Sequence, residues 1–341
     1  MPNINKDKLH DLTKLIFRTA GATDDHASQV ADVLIANNLA GHDSHGILRI
    51  PEYLENIKNG EIVLSATPEI LQETPVSALI SGNWSFGQVV GNMATDVAIS
   101  KAKSQGVAAV SVVQAAHTGR LAAFTERASD QGVVMFMTIG TTDRPMTAPY
   151  GGAAPILGTN PLAFSLPNRD GPAVTLDFAT SAIAAGKIKV AKAMHQSLPP
   201  DTLMDKNGNP STNPQDFFEG GFMVPFGGHK GYALAIIAEM MSGPLAGCDA
   251  FPGVTARSGI FIFALRADLF RPMTAYQDAL SKSIGKIKAI PPAKGFSQVM
   301  MPGEPEYQTK LSREKNGIEI QADTWESVRK AALTIGVNID N

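Results

Sequence analysis

The sequence is poor in cysteine and in aromatic residues, and its positive and negative charges nearly balance. Its 341 residues include one cysteine, Cys248, with 6% aromatic residues and a net charge of −3. One thiol can form neither an intrachain disulfide nor a cysteine-based zinc site, and such sparse use of cysteine is typical of a reducing cytosol. No basic patch alternates with aromatic residues, so a nucleic-acid partner is not expected.

Long hydrophobic runs are missing as well, and no secretory leader is expected. Apolar runs such as residues 107–113 and 133–139 are seven residues long, whereas a helix that spans a bilayer needs about 20 apolar residues. The first residues contain no apolar segment followed by a small-residue cleavage site. The sequence therefore predicts a cytoplasmic protein without a membrane partner.

What the chain does contain is a change of hydrophobic period near residue 68. Before it, apolar residues at helical spacing predict helices over residues 6–20, 24–40 and 51–58. After it, apolar runs alternate with helical segments, which is typical of an α/β domain. The predicted strands are 76–81, 107–113, 133–139, 162–166, 174–177 and 259–265, and the predicted helices are 89–105, 119–131, 182–194, 229–242 and 325–333. Residues 199–214, rich in Pro, Asn and Gly, are predicted to form a loop.

The densest group of chemically active side chains is the hexapeptide GHDSHG at residues 41–46, which Arg49 and Tyr53 follow. The ordinary pKa of histidine lies near neutrality, so His45 at a helix end can donate or accept a proton. Arg49 could hold a carboxylate in a two-point grip. The hexapeptide is equally compatible with a capped helix end or with a metal pair of His42 and His45. These three interpretations stay open on the motif alone.

Several short polar loops follow predicted strands or open predicted helices. The common dinucleotide fingerprint, Gly-x-Gly-x-x-Gly between a strand and a helix, is absent. Backbone N–H groups near a helix start attract phosphate in any fold, and Lys230 adds positive charge at one such start. Each loop is also explicable as a turn or a helix cap. The loops are His117–Arg120, Gly158–Pro161, Asp177–Ser181, Gly227–Gly231 and Pro302–Glu304.

Taken together and in order, six segments resemble the malate/L-lactate dehydrogenase family, and within it the bacterial hydroxycarboxylate dehydrogenase B group. The cofactor domain of that family is not of the Rossmann type. The resemblance runs from about residue 8 to residue 337, and six motifs in register are far more specific than any one of them. The segments are Gly41–Ile47, His117–Arg120, Gly158–Pro161, Leu176–Ala184, His229–Ala235 and Pro302–Glu304.

The resemblance implies a fold and an assembly. The implied fold class is α/β, with a mixed, largely antiparallel sheet in a non-Rossmann cofactor domain beside a helical N-terminal unit. Residues 1–67 would form that unit together with the C-terminal segment 306–341, and residues 68–305 would form the NAD(P)-binding and substrate domain. The protein would be an obligate homodimer whose active site lies between domains and subunits.

The resemblance also implies roles for individual residues. The catalytic residues would be His45 as proton donor, Ser44 beside it, and His117 as the rival acid/base. The substrate-binding residues would be Arg49, Tyr53 and Arg144, and Arg144 could grip a second carboxylate. The cofactor would be NAD or NADP, with NADH preferred. The cofactor-binding residues would be His45, Gly119, Arg120, Leu121, Gly158, Thr159, Asn160, Thr175, Leu176, Asp177, Phe178, Ala179, Ser181, His229, Lys230, Gly303, Glu304 and Pro305.

The implied activity is reversible hydride transfer between the nicotinamide and the C2 carbonyl of a 2-oxo acid. The carbonyl oxygen becomes an alkoxide as hydride arrives, so His45 or His117 must supply a proton. This chemistry requires no metal. Three alternatives stay open: a cyclic-imine reductase of the same fold, a metal-dependent hydrolase or lyase built on His42 and His45, and a non-catalytic dimer that binds dinucleotide.

Overall fold

The computed structural model describes residues 2–141, 145–248 and 258–339. Its helices are α1 (Lys6–Thr19), α2 (Asp24–Leu39), α3 (Ile50–Lys58), α4 (Gly87–Gln105), α5 (Ala122–Ser129), α6 (Ala185–Ala193), α7 (Pro214–Phe218), α8 (His229–Ser242), α9 (Met273–Lys288), α10 (Glu304–Asn316) and α11 (Ala322–Thr334). Its strands are β1 (Asn3–Ile4), β2 (Glu69–Thr74), β3 (Ser77–Ser81), β4 (Val107–Val113), β5 (Val133–Thr141), β6 (Leu162–Leu166), β7 (Val174–Phe178), β8 (Leu203–Met204), β9 (Pro210–Ser211), β10 (Phe222–Met223), β11 (Ser258–Arg266) and β12 (Ile318–Glu319). Among these described residues, no helix combines the length and hydrophobicity needed to cross a membrane.

A seven-stranded sheet in the order β2-β3-β4-β11-β5-β6-β7 forms the centre of the α/β part. Strands β3 and β4 pair in parallel, and α4 makes the crossover that a parallel pair requires. The other neighbouring strands pair antiparallel. The prediction of an α/β fold with a mixed, largely antiparallel sheet is therefore confirmed.

The central strands consist of continuous apolar runs, because helices pack against the sheet and bury them. Helix α4 packs against β4 and β11, α5 against β5 and β6, and α8 against β5 and β11. Val110, Val112, Met135 and Met137 are fully buried in the resulting core. Burial of this kind favours apolar side chains at about 25 cal/mol per Å² of surface removed from water.

A second core joins helices from both ends of the chain. Leu34 of α2, Tyr53 of α3 and Val328 of α11 are buried together in it, and β1 pairs with β12 at its edge. The same core takes up Phe86 and Val89, which lie beyond residue 67 at the start of α4. The division of the chain near residue 67 stays a prediction, but the two ends of the chain do pack side by side.

The elements that the sequence analysis does not predict include β2, α9 and α10, and the helix predicted over 119–131 is too long. Strand β2 is exposed along its whole length, and α9 and α10 have no buried residues. Helix α5 begins at Ala122 rather than at Gly119, because Gly119 has a φ of +93°, outside the helical region. The predicted loop 199–214 contains the short strands β8 and β9.

Candidate functional site

The His-rich turn lies between α2 and α3 and is shaped by two buried polar contacts. Two short 3₁₀ turns, Asp43–His45 and Ile47–Arg49, connect the helices. The amide oxygen of Asn38 accepts the Ile47 N–H at 2.9 Å, and its amide nitrogen donates to Asp43 at 2.6 Å. Gly46 passes directly over this amide, because a Cβ at Gly46 would lie 2.1 Å from the Asn38 oxygen. The turn therefore needs glycine for close approach.

Asp43 is tied to α10 from the opposite side. The Arg313 guanidinium donates to both carboxylate oxygens of Asp43, at 2.7 and 3.0 Å, and also to the Asn38 carbonyl. A bidentate pair of this kind fixes geometry as well as charge. Asp43 thus positions the turn. Its ion pair with Arg313 connects the turn to α10, a helix far away in the sequence.

The structure brings together the two rival acid/base candidates. The rings of His45 and His117 lie face to face, with centroids 5.8 Å apart and an interplanar angle of 20°. Ser44 Oγ lies 2.9 Å from His45 Nδ1, and Tyr53 Oη lies 2.8 Å from His117 Nδ1. Each imidazole therefore has a hydroxyl partner that orients it.

The charge state of His45 follows from its surroundings. Burial, reinforced by the positive charges of Arg49, His42 and Arg120, lowers the pKa of His45 to about 3. Arg49 is itself fixed beside the ring, because its Nε donates to the Ser44 carbonyl at 2.8 Å and its Nη1 pairs with Glu52 at 2.6 Å. The imidazole of His45 is therefore neutral at neutral pH in the ligand-free protein.

Tyr53 and Arg144 are predicted to contact the substrate, and the structure describes only Tyr53. Tyr53 is 1% exposed, and its hydroxyl is bonded to His117 and to Gln88 inside the protein. Its contact with substrate stays a prediction. Arg144 lies outside the described residues.

A cavity of about 460 Å³ opens between β7 and the start of α10. Its walls carry predicted cofactor-binding residues from three separate segments of the chain. These are Arg120, Thr175, Leu176, Asp177, Phe178, Gly303 and Pro305. The remaining lining residues are His42, Met300, Met301, Pro302 and Glu306. Sequence reasoning did not assign His42 and Glu306 to this cavity, and it gave no signal for the methionines.

Arg120 and Asp177 give the cavity its electrostatic character. Arg120 is 5% exposed and donates twice to Glu126, at 2.6 and 3.2 Å. Asp177 accepts the Ala122 N–H at the start of α5 at 2.7 Å. Burial raises the pKa of Asp177 to about 6, although Arg120 pulls it downwards. A cation and a weakly acidic carboxyl therefore face the same space.

The residues present fit a phosphate-bearing cofactor. Arg120 Nε is buried without a hydrogen-bond partner among the described residues and lies 4.0 Å from Asp177 Oδ2. The N-terminus of α10 reaches the cavity at Gly303 and Pro305, and a helix N-terminus favours negative charge. An unsatisfied guanidinium N–H and a helix start together can receive phosphate oxygens.

Other predicted cofactor-binding residues lie outside the cavity lining, and several of them form hydrogen bonds within the protein. The Thr159 carbonyl accepts from Thr180, Asn160 donates to the buried Glu239, and Ser181 donates to the Ile183 carbonyl. Glu304 accepts from the Met301 N–H and from Lys288. Also outside the lining are Gly119, Leu121, Gly158, Ala179, His229 and Lys230. Their cofactor contacts stay predictions.

The histidines of the turn were also candidates for a metal pair. Within the described ranges, no group of three or more His, Cys, Asp or Glu side chains is placed to hold a metal ion. His42 Nε2 faces Glu306 at 3.5 Å, whereas His45 Nδ1 faces Ser44. The two imidazoles therefore have separate partners.

Known proteins resemble this chain over nearly its whole length. The family model for malate/L-lactate dehydrogenases matches residues 4–329. Hydroxycarboxylate dehydrogenase B of Escherichia coli K12 is 33% identical over 96% of this chain and 93% of its own length. Malate/(S)-sulfolactate dehydrogenase of Methanothermus fervidus is 33% identical over 98% and 99%. The solved sulfolactate dehydrogenase of Methanocaldococcus jannaschii superposes with a TM-score of 0.90 at 32% identity, over 99% of each chain. The resemblance seen in the sequence is thereby confirmed, and the chain belongs to the malate/L-lactate dehydrogenase family.

Proposed function

We propose that this protein is an NAD-dependent 2-hydroxycarboxylate dehydrogenase that reversibly reduces the C2 carbonyl of a 2-oxo acid. The observation that carries the proposal is the pair of imidazoles 5.8 Å apart, beside a fixed arginine. Relatives along nearly the full length are named as dehydrogenases of hydroxycarboxylates, malate and sulfolactate, all of them 2-hydroxy acids. A proton carrier next to a carboxylate-binding group is what such a substrate needs.

The residues of the chain divide the work. The dinucleotide, when bound, supplies or accepts the hydride. Arg120 and the start of α10 would hold its phosphates. Arg49 orients the substrate carboxylate, and an imidazole of the pair moves the proton at the C2 oxygen. Ser44 bonds to His45 Nδ1 and so fixes the orientation of that ring.

The charges around the cavity favour NADH over NADPH. The 2′-phosphate of NADPH needs a cation beyond the one that holds the other phosphates of the cofactor. Arg120 is paired with Glu126, and His42 faces Glu306. Burial, followed by the charge of Arg120, lowers the pKa of His42, so His42 is uncharged at neutral pH. Arg120 is thus the one charged cation among the described lining residues, and it is already used for the other phosphates of the cofactor.

An assay panel tests this function. A set of 2-oxo acids and one cyclic imino acid are each combined with NADH and with NADPH, and reduced nicotinamide is followed by absorbance. We expect kcat/KM for a 2-oxo acid to exceed that for the imine, and NADH to be preferred by at least about tenfold, or about 1.4 kcal/mol. Faster turnover of the imine would make the protein an imine reductase. No absorbance change with any of these substrates would contradict a dehydrogenase, and activity lost to a chelator without such a change would indicate the metal-dependent hydrolase or lyase.

We also propose that the chain forms a homodimer. Leu234, Ile237 and Met240 follow one another at helical spacing along the outer face of α8, and each is more than one-third exposed. Phe263 lies on β11, against which α8 packs, and is 41% exposed. Such an apolar surface marks an interaction site, and a second copy related by a twofold axis is the commonest occupant. Sedimentation as a 36.0 kDa species would rule this out.

The two reaction directions should depend differently on pH. His45 with a pKa of about 3 is already a neutral base, so kcat/KM for hydroxy acid oxidation should be flat above about pH 5 and fall below about pH 4. Reduction needs the protonated imidazole, whose fraction in the free enzyme drops about tenfold per pH unit above the pKa, so kcat/KM for reduction should drop likewise. Initial rates at saturating cofactor across the pH range measure both. A break in the oxidation profile near about pH 6.5, the ordinary histidine value, would contradict the shift.

A further inference from the structure

We propose that Tyr53 and Gln88 are positioning residues that hold neutral His117 in the tautomer with its proton on Nε2. This deepens the proposed function and rests on it, because it assigns different roles to the two imidazoles. His117 becomes a hydrogen-bond donor towards the substrate oxygen, and proton transfer falls to His45.

First, the acceptors around Gln88 determine the orientation of its side-chain amide. Gln88 lies at the start of α4 and is completely buried. Its amide nitrogen is 3.3 Å from the His117 carbonyl oxygen, 3.2 Å from the Thr118 carbonyl oxygen and 2.9 Å from Tyr53 Oη. Carbonyl oxygens only accept, so the group that faces them must be the NH₂ group. Gln88 is therefore a donor to the Tyr53 hydroxyl oxygen.

The second step is the direction of the Tyr53 hydroxyl. With its oxygen accepting from Gln88, the hydroxyl proton points to another acceptor. His117 Nδ1 lies at 2.8 Å, whereas the His117 carbonyl lies at 3.5 Å, the limit of a useful hydrogen bond. Burial raises the pKa of Tyr53, so the phenol keeps its proton. Nδ1 of His117 therefore accepts and is unprotonated.

The third step concerns the other nitrogen of the ring. A neutral imidazole carries one proton, and when Nδ1 accepts, that proton lies on Nε2. Protonating Nδ1 as well would force the Tyr53 hydroxyl to turn to the more distant carbonyl. Within the neutral ring, the Tyr53 contact therefore selects the tautomer with its proton on Nε2. Sequence reasoning missed Gln88, since nothing in its local sequence distinguishes it from any residue at a helix start.

The two imidazoles then act differently in the reaction. In the reduction, C2 gains the hydride that the reduced nicotinamide gives up, and the carbonyl π electrons move onto the oxygen. The oxygen takes its proton from His45, which is reprotonated from solvent. His117 keeps its Nε2 proton throughout and stabilises the developing negative charge by donating a hydrogen bond. In the oxidation, His45 accepts the hydroxyl proton, which His117 in this tautomer cannot do at Nε2.

Nitrogen-15 NMR of histidine-labelled protein tests the proposal directly. The signals of His117 are identified by their loss in His117→Asn. In the wild type we expect an Nδ1 shift of an unprotonated nitrogen and a proton bonded to Nε2. In Tyr53→Phe, which removes the donor to Nδ1, we expect both nitrogen shifts to move towards each other as the tautomers mix. A proton on Nδ1 of the wild type, or unchanged shifts in Tyr53→Phe, would overturn the proposal.

A matched variant separates this role from a general structural one. Tyr276→Phe removes a tyrosine hydroxyl that donates to the Pro167 carbonyl at 3.0 Å, and it should leave the His117 signals unchanged. The wild-type spectrum decides the tautomer even if Tyr53→Phe fails to fold. An Nε2–H tautomer in a protein that reduces no 2-oxo acid would reject the proposed function and keep the assignment of the ring.

Discussion

His45→Ala should lower kcat about 10²- to 10⁴-fold, the usual contribution of a positioned acid or base. Binding of NADH should change little, because the ring lies in the turn between α2 and α3 and is not part of the cavity lining. The substrate carboxylate still meets Arg49, so the KM for the 2-oxo acid should rise far less than kcat falls. The variant therefore separates proton transfer from binding.

Steady-state rates and a fluorescence titration with NADH measure the two effects. His10→Ala is a suitable control, because His10 lies on α1 and pairs with Asp32 through its Nε2 at 2.9 Å. A surface substitution of this kind usually changes the free energy of unfolding by less than about 0.5 kcal/mol. The kcat of His10→Ala should therefore stay close to that of the wild type. Full activity in His45→Ala, with activity lost in His117→Ala, would move the acid/base role to His117.

Local features of the fold are predictable because local residues determine them. Thr23 caps α2 by accepting the His26 N–H at 3.1 Å, as its position before two acidic residues indicates. Gly106 ends α4 with a φ of +89°, and Gly41 follows the end of α2 with a φ of +83°. The strands at 107–113 and 162–166 and the helix at 229–242 have the predicted bounds for the same reason.

The order of the strands is not a local property. Residues 107–113 and 133–139 are predicted strands on either side of a predicted helix, as in a crossover unit. In the structure, β11 lies between them and pairs antiparallel with both. Strands β4 and β5 are parallel to each other, as a crossover requires, but they do not touch. The choice of an inserted partner depends on packing across a long stretch of chain, which no sequence period records.

The candidate site shows the same division. The hexapeptide and His117 are recognisable one by one from their residue types. The stacking of the His45 and His117 rings depends on how the turn between α2 and α3 meets the loop between β4 and α5. Gln88 and Arg313 act through contacts with residues that are distant in the sequence, among them Tyr53 and Asp43. A lone Gln or Arg on a helix has many ordinary uses, so only the fold reveals these two.

Gly46→Ala should be the most destabilising conservative change in the His-rich turn. The added Cβ would lie 2.1 Å from the Asn38 amide oxygen and 2.3 Å from its Cγ. Asn38 is buried and cannot move aside without releasing the Ile47 N–H and Asp43. Overpacking and a broken buried hydrogen bond each cost about 1–3 kcal/mol, so we expect the free energy of unfolding to fall by about 2–6 kcal/mol.

Urea unfolding followed by the fluorescence of the two tryptophans measures this loss, since one of them, Trp325, packs against the core that contains α2 and α3. Gly285→Ala is the matched control: it lies in α9, with no atom within 4 Å of the added Cβ. Alanine is the better helix former, so Gly285→Ala should leave the free energy of unfolding unchanged or raise it by up to about 1 kcal/mol. Its urea midpoint should therefore stay the same or rise. A wild-type midpoint in Gly46→Ala would show that Asn38 does not hold the turn. The Asn38 network would then no longer explain why His45 meets His117.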